Sequence, residues 1–295
     1  SMTYPDNEVV NYTYNTQQLL TSVIGASTYV NSISYDAAGR ATKRILGNGV
    51  QSLFTYNAWT TQGGRLQSIQ AGTAALPAAL QSLTYAYDPV GNINSITDGI
   101  TGQVQAFIYD DLDRLTSANA SAVTGDAGYT EAYDYGPVSG NLLHKGPSPT
   151  DWQQYFYDSA HKHAVSSTSS RNTYIYDANG NMIERHTAEG DVTMGYDAEG
   201  HLVTVSGPNG YNASFVYDGD GNRVKSEENG KKTVFVGSIY ETEQIGSAEA
   251  VATKYYFAGS QRIVMRKDGV LTYLLTDQPG STILLLAESG VKIVG

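Results

Sequence analysis

Three observations predict that this 295-residue chain is all-β, built from tandem hairpins. A Tyr-Asp-x-x-Gly-Asn/Arg-apolar phrase returns along nearly the whole sequence, and large residues alternate in the segments that lead into it. The composition is that of strands and turns, with 23 Tyr and 31 Gly but only 16% charged residues. Clear copies begin at Tyr35, Tyr87, Tyr176, Tyr196 and Tyr217 and weaker ones at Tyr14, Tyr56, Tyr109, Tyr135 and Tyr157, at successive spacings of 21, 21, 31, 22, 26, 22, 19, 20 and 21 residues. A period this regular marks one supersecondary unit repeated. The expected architecture is a long, curved antiparallel sheet, a strip or spiral with almost no helix.

Taken in order, residues 1–13 read as a tag scar (Ser1-Met2) followed by a lead-in strand. Residues 14–238 form the hairpin array. Its clearest copies open at Tyr35-Asp36 with Gly39, Tyr87-Asp88 with Gly91, Tyr176-Asp177 with Gly180, Tyr196-Asp197 with Gly200 and Tyr217-Asp218 with Gly221; Tyr109-Asp110 opens a weaker one. In each, alternation places the tyrosine and the large residue two before it on one strand face, as with Phe215 and Tyr217. The aspartate can accept hydrogen bonds from turn amides, and the glycine can take positive φ. The unit is therefore a hairpin with a four- or five-residue loop. Side by side, the large residues would form an aromatic ladder, and Tyr176→Ala or Tyr217→Ala would cost about 3 kcal/mol if the rings are buried. Residues 57–84 hold the 31-residue repeat, in which Ala71 to Leu80 reads as an enlarged loop, and residues 119–131 and 145–151 read as loops of the same kind.

Charge and composition exclude several functions. The net charge of −11 argues against nucleic-acid binding, and no apolar stretch is long enough to span a bilayer. Cysteine is absent, which removes disulfides and thiolate chemistry.

These phrases resemble the YD repeats of the Rhs family, shared with bacterial insecticidal toxin complexes and teneurins. The C-terminal part, residues 239–295, adds two matches. Tyr255 to Arg266 is similar to the segment that follows the last regular repeats in Rhs proteins, and Tyr273-Leu274-Leu275-Thr276-Asp277-Gln278-Pro279-Gly280-Ser281-Thr282 resembles that family's Asp-His-Leu-Gly-Ser phrase. Gln278-Pro279 stands where the family has His-Leu, which puts any role of that His in doubt. The resemblance implies a hairpin sheet that spirals into a hollow shell around a C-terminal toxic domain, in a secreted or cell-surface bacterial protein. It also implies a self-cleaving aspartyl site downstream of the Asp-x-x-Gly-Ser phrase. The chain reaches Val294-Gly295 without such a motif, so it is expected to be a cut from a longer protein, an open strip with a partly exposed inner face. Asp277 is the candidate supporting carboxylate, against a turn-capping role.

The expected work is non-enzymatic: wall for a container whose partner is a cargo or toxin domain, or another part of the same protein. A glycan- or protein-binding surface is the alternative, with Trp59 and Trp152, which lie off the repeat grid, as its candidate contacts. An autoprotease with its junction downstream is a third reading. No cofactor and no metal is expected. Asp218-Gly219-Asp220-Gly221-Asn222 begins like a calcium loop, but Arg223 and Asn229 stand at the positions that need Gly and Glu. His161 and His163 have a spacing that metals use, yet lie in the turn of the Tyr157 repeat. Ser159-Ala160-His161-Lys162 matches Ser-x-x-Lys without its companion motifs, and Asn11, Asn119 and Asn212 open short glycosylation patterns of low specificity.

Overall fold

Each clear copy of the repeat folds around its aspartate. In the hairpin of Thr28–Tyr35 and Ala41–Leu46, the Asp36 amide donates to the Arg40 carbonyl (2.9 Å) and the Gly39 amide to the Asp36 carbonyl (3.0 Å). The same two bonds recur at Asp88, Asp177, Asp197 and Asp218. Gly39 has φ 77°, and the corresponding Asp113 of the Tyr109 repeat adopts φ 59°, so that turn holds its left-handed residue even without glycine. Sequence periodicity does not reveal a β-bulge just before the tyrosine. Tyr35 faces Ala41, but Ser34 faces Lys43, so Thr42 is the extra residue. The same one-residue shift precedes Tyr87, Tyr176, Tyr196 and Tyr217.

The computed structural model describes residues 1–246 and 248–293; the Val294-Gly295 end discussed above lies outside them. Among the described residues there are 27 strands, one four-residue α-helix (Trp59–Gln62) and one short 3-10 turn (Pro208–Gly210). The fold class is the all-β hairpin array that the repeats predict. The helix accounts for part of the 31-residue spacing, since it enlarges the turn between the strands Gln51–Tyr56 and Leu66–Gly72.

The chain divides into two compact units, and the division follows packing more than chain order. One comprises Ser1–Phe107, Ala120–Gly128 and Thr253–Gly295; the other comprises Ile108–Asn119 and Tyr129–Ala252.

The first unit holds the large core. The strands Gln261–Lys267, Val270–Thr276 and Thr282–Ala287 pack against the N-terminal hairpins, and Tyr4, Val23, Tyr29, Leu46, Tyr256, Ile263, Tyr273 and Leu286 are all at most 2% exposed. Hydrogen bonds tie the layers together. Tyr4 Oη donates to the Tyr255 carbonyl (2.7 Å), Gln81 Nε2 to the Thr276 carbonyl (2.9 Å), and Tyr273 Oη to the Thr28 carbonyl (3.1 Å). The partly exposed inner face expected from the sequence therefore does not extend to this unit. The apolar run Leu271 to Leu275 covers that face, and its strand is buried on both sides.

The second unit has no comparable core. Its buried apolar residues are Ala118 and Ala213. Its strands are half-buried on the tyrosine face and exposed on the other, as in Asn212–Tyr217, where Phe215 and Tyr217 are half-buried and Val216 is 49% exposed.

Candidate functional site

The feature that recurs is the junction between successive hairpins. Eight repeat tyrosines donate their hydroxyl hydrogen to a backbone carbonyl at the start of the preceding hairpin's return strand. The pairs are Tyr35 to Leu20, Tyr56 to Ala41, Tyr87 to Leu66, Tyr135 to Leu115, Tyr157 to Leu142, Tyr176 to Val165, Tyr196 to Met182 and Tyr217 to Leu202, at 2.6–3.0 Å. Burial without ionisation suits this arrangement: desolvation raises the hydroxyl pKa of Tyr35, Tyr56, Tyr87, Tyr157, Tyr176 and Tyr196, so each remains a donor.

The ring of the same tyrosine packs under a side chain that sequence reasoning noted only as part of the phrase. The Arg40 guanidinium carbon lies 4.2 Å from the Tyr56 ring centroid, and that of Arg114 lies 4.5 Å from Tyr135. His201 stacks on Tyr217 at 4.7 Å. The rings thus interleave with Arg and His of the previous turn, and the expected ladder of aromatic on aromatic is corrected. The physical reason is spacing: a return strand always intervenes between two repeat tyrosines.

That Arg, Asn or His is held in turn by the aspartate. Asp36 Oδ1 accepts the amides of Ala38 (2.9 Å) and Arg40 (3.0 Å), while its Oδ2 accepts Arg40 Nε (2.7 Å). Asp110 and Arg114 repeat this geometry, and Asn181, His201 and Asn222 close onto Asp177, Asp197 and Asp218. Asp88 binds Asn92 Nδ2 at 3.0 Å. The Arg40 and Arg114 hydrogen bonds hold the carboxyls of Asp36 and Asp110 below the usual range, and the Asn181, His201 and Asn222 bonds do the same for Asp177, Asp197 and Asp218. A depressed folded-state pKa contributes stability that is present above the unfolded value and lost as pH falls through the folded one. The melting temperature should therefore hold from pH 7 to 5 and drop below about pH 4. An unchanged melting temperature at pH 3 would rule these turns out as contributors.

Tyr176 and Tyr217 are half-buried, as expected where a single sheet face covers them. The sequence-based cost of about 3 kcal/mol for removing a buried ring is corrected to about 2 kcal/mol for Tyr217→Ala, with about 1 kcal/mol for Tyr217→Phe. Urea denaturation of both variants measures the difference. A Phe variant with wild-type stability would show that the hydroxyl bond is energetically idle.

The other candidate residues are scattered. Trp59 lies in the short helix, 63% exposed, with the Arg40 guanidinium carbon 5.0 Å from its ring. Trp152, in the other unit, stacks on His144 at 4.9 Å and has a buried Nε1 without a hydrogen-bond partner. His144 Nδ1 contacts Asp134 Oδ2 at 2.8 Å. Asp277 occupies a turn of the repeat type, its Oδ1 accepting the Ser281 amide at 2.7 Å while its own amide donates to the Ser281 carbonyl (3.0 Å). In the calcium-like stretch, Asp218 Oδ1 turns onto the amides of Asp220 and Asn222. His161 packs on Tyr176 and His163 bonds Asn141, so the two imidazoles serve different neighbours. Asp197, Glu199 and His201 bring ligand atoms within 4.8 Å of one another in one exposed turn. Their His201–Asp197 contact is the closure that Arg40 and Asp36 make elsewhere, so the turn itself accounts for the trio.

The RHS Repeat family model matches residues 196–232, which hold the Tyr196 and Tyr217 turns. The toxin subunit YenC2 of Yersinia entomophaga is 33% identical over 174 residues, covering 54% of this chain and 16% of its own length. YenC1 of the same organism is 36% identical over 104 residues, 30% of this chain and 10% of its own. The chain thus spans a small part of these relatives. Among solved structures, the TcdB2-TccC3-TEV crystal structure superposes with a TM-score of 0.80 over 99% of this chain and 17% of that one, at 20% identity. The Photorhabdus luminescens Tc holotoxin pore gives the same TM-score and identity over 99% and 16%. At this identity the likeness is one of fold.

Proposed function

Since this chain belongs to the Rhs/YD-repeat family, we propose that it is a non-enzymatic wall segment of a toxin-complex shell, enclosing a cargo or toxin domain in a secreted or surface-exposed protein. The observation that carries this reading is the junction. Every docked tyrosine satisfies itself on the hairpin before it, so the chemistry of the repeat is spent on continuing the sheet. A second feature agrees. Ile108, Phe156, Ile175 and Val216, each the residue just before a repeat tyrosine, are 44–58% exposed on the opposite face of the second unit. An apolar row of this kind suits a surface that closes against another polypeptide.

The test uses the full translation product of the gene, compared by denaturing gel and native size exclusion, with protease added to the native form. A segment that separates under denaturant, co-elutes natively and resists protease supports enclosure. A product whose every segment is digested alike overturns it.

Trp59 favours one further reading, because an exposed indole beside a guanidinium is a stacking platform. If that platform serves a glycan, saturable binding on a glycan array should vanish in Trp59→Ala; an array without a hit would leave the wall as the sole reading.

A further inference from the structure

The first unit contains a buried cation that the wall does not need. Arg44, on the strand Ala41–Leu46, is 6% exposed. Its Nη1 donates to Gln261 Oε1 at 2.5 Å, and its Nε is buried with no hydrogen-bond partner. The groups packed around it are neutral. Phe54 lies with its ring centroid 5.7 Å from the guanidinium carbon, Tyr35 spends its hydroxyl on the Leu20 carbonyl, and Gln261 fixes its amide by donating Nε2 to Thr276 Oγ1. Burial lowers the Arg44 pKa to about 10, which leaves the group charged at neutral pH. A buried charge is costly unless an opposite charge meets it. In a chain with 29 acidic residues, a buried arginine facing neutral groups stands apart from Arg40 and Arg114, which are each paired.

Arg44 borders a cavity of about 430 Å³ whose other walls include Leu20, Ile33, Tyr35, Phe54 and Gln261. That volume and an apolar lining with few polar groups are typical of small-ligand sites. We propose that this cavity binds a carboxylate carried on an apolar body. The guanidinium of Arg44 takes the carboxylate, and Leu20, Ile33 and Phe54 take the hydrocarbon part. A planar donor fork matches a carboxylate, and the apolar walls favour it over inorganic phosphate, whose remaining oxygens would be left without partners.

Calorimetric titration of the whole chain tests this with four probes: 3-phenylpropionate, 3-phenylpropionamide, a short peptide with a C-terminal phenylalanine free acid, and inorganic phosphate. The acid should bind saturably, and the amide about tenfold or more weakly. Binding of the small acid would identify a free acid as the ligand, whereas binding of the peptide alone would identify a chain terminus. Arg44→Met, which keeps the side-chain volume and removes the charge, should weaken the acid by a similar factor. Ala258 also lines the cavity, and Ala258→Leu, which narrows it and leaves Arg44 in place, should weaken the acid as well, which keeps the test decisive if Arg44→Met does not fold. Equal binding of acid and amide, wild-type binding by Arg44→Met, preference for phosphate, or no binding at all would overturn the proposal.

Discussion

Lys254→Met should destabilise the first unit by about 3 kcal/mol or more. Lys254 Nζ donates to Asp6 Oδ2 at 2.6 Å and to Glu8, which itself accepts from Tyr29, from Tyr256 Oη (2.9 Å) and from the Ala26 amide (3.0 Å). The Lys254 and Glu8 side chains are 11% and 7% exposed. Burial alone would raise the Glu8 pKa; the Lys254 ammonium and the hydroxyl and amide donors outweigh it and hold the carboxyl at about 2. Removing the lysine leaves a buried carboxylate without its cation, the costly way to break such a pair. The double variant Lys254→Met with Glu8→Gln removes both charges and keeps an acceptor for the tyrosines, so it should recover most of the loss. Urea unfolding of Lys254→Met, Glu8→Gln and the double variant beside the wild type forms a double-mutant cycle. A single-variant loss under about 1 kcal/mol would place the pair among surface ion pairs instead.

Gly47→Ala should be comparably damaging, by about 3 kcal/mol, for a reason unconnected with charge. A Cβ at Gly47 would lie 1.6 Å from the Thr28 carbonyl oxygen and 2.7 Å from Tyr273 Oη. The first is backbone and cannot step aside without moving the strand Thr28–Tyr35, and the second is the hydroxyl that ties the C-terminal layer to it. Gly49, two residues on, is the control. Its φ of 81° favours glycine, but an added Cβ there meets nothing within 4 Å, so Gly49→Ala should cost about 1 kcal/mol. Equal melting temperatures for the two variants would show that close packing at Gly47 is not a constraint.

The hairpins were legible because their period, their turn residues and their alternation all point the same way. Tyr217, Asp218 and Gly221 each carry a local conformational preference that the structure uses where it stands. The bulge was not legible, because no residue type marks it. The extra residue is Thr42, Asn94, Ile183, Val203 or Val224 in successive copies, and the geometry of the aspartate turn decides its place. The role of Arg40 and its counterparts was half visible: the slot was conspicuous, but its second contact, to the tyrosine ring of the next repeat, follows only once the return strand is in place. Least legible were the contacts across the first unit. Tyr4 with Tyr255, Arg44 with Gln261 and Gln81 with Thr276 join residues about 200 or more positions apart, and no local pattern encodes such pairs.

The tyrosine hydroxyl finds its acceptor in the main chain. Leu20, Ala41, Val165 and Met182 serve equally well, because each offers the same carbonyl whatever its side chain. A hairpin therefore makes almost no demand on the identity of the one before it. Duplication, deletion or exchange of whole hairpins leaves the hydroxyl-to-carbonyl bond of each join intact, so this part of the repeat tolerates drift in sequence and change in the number of hairpins.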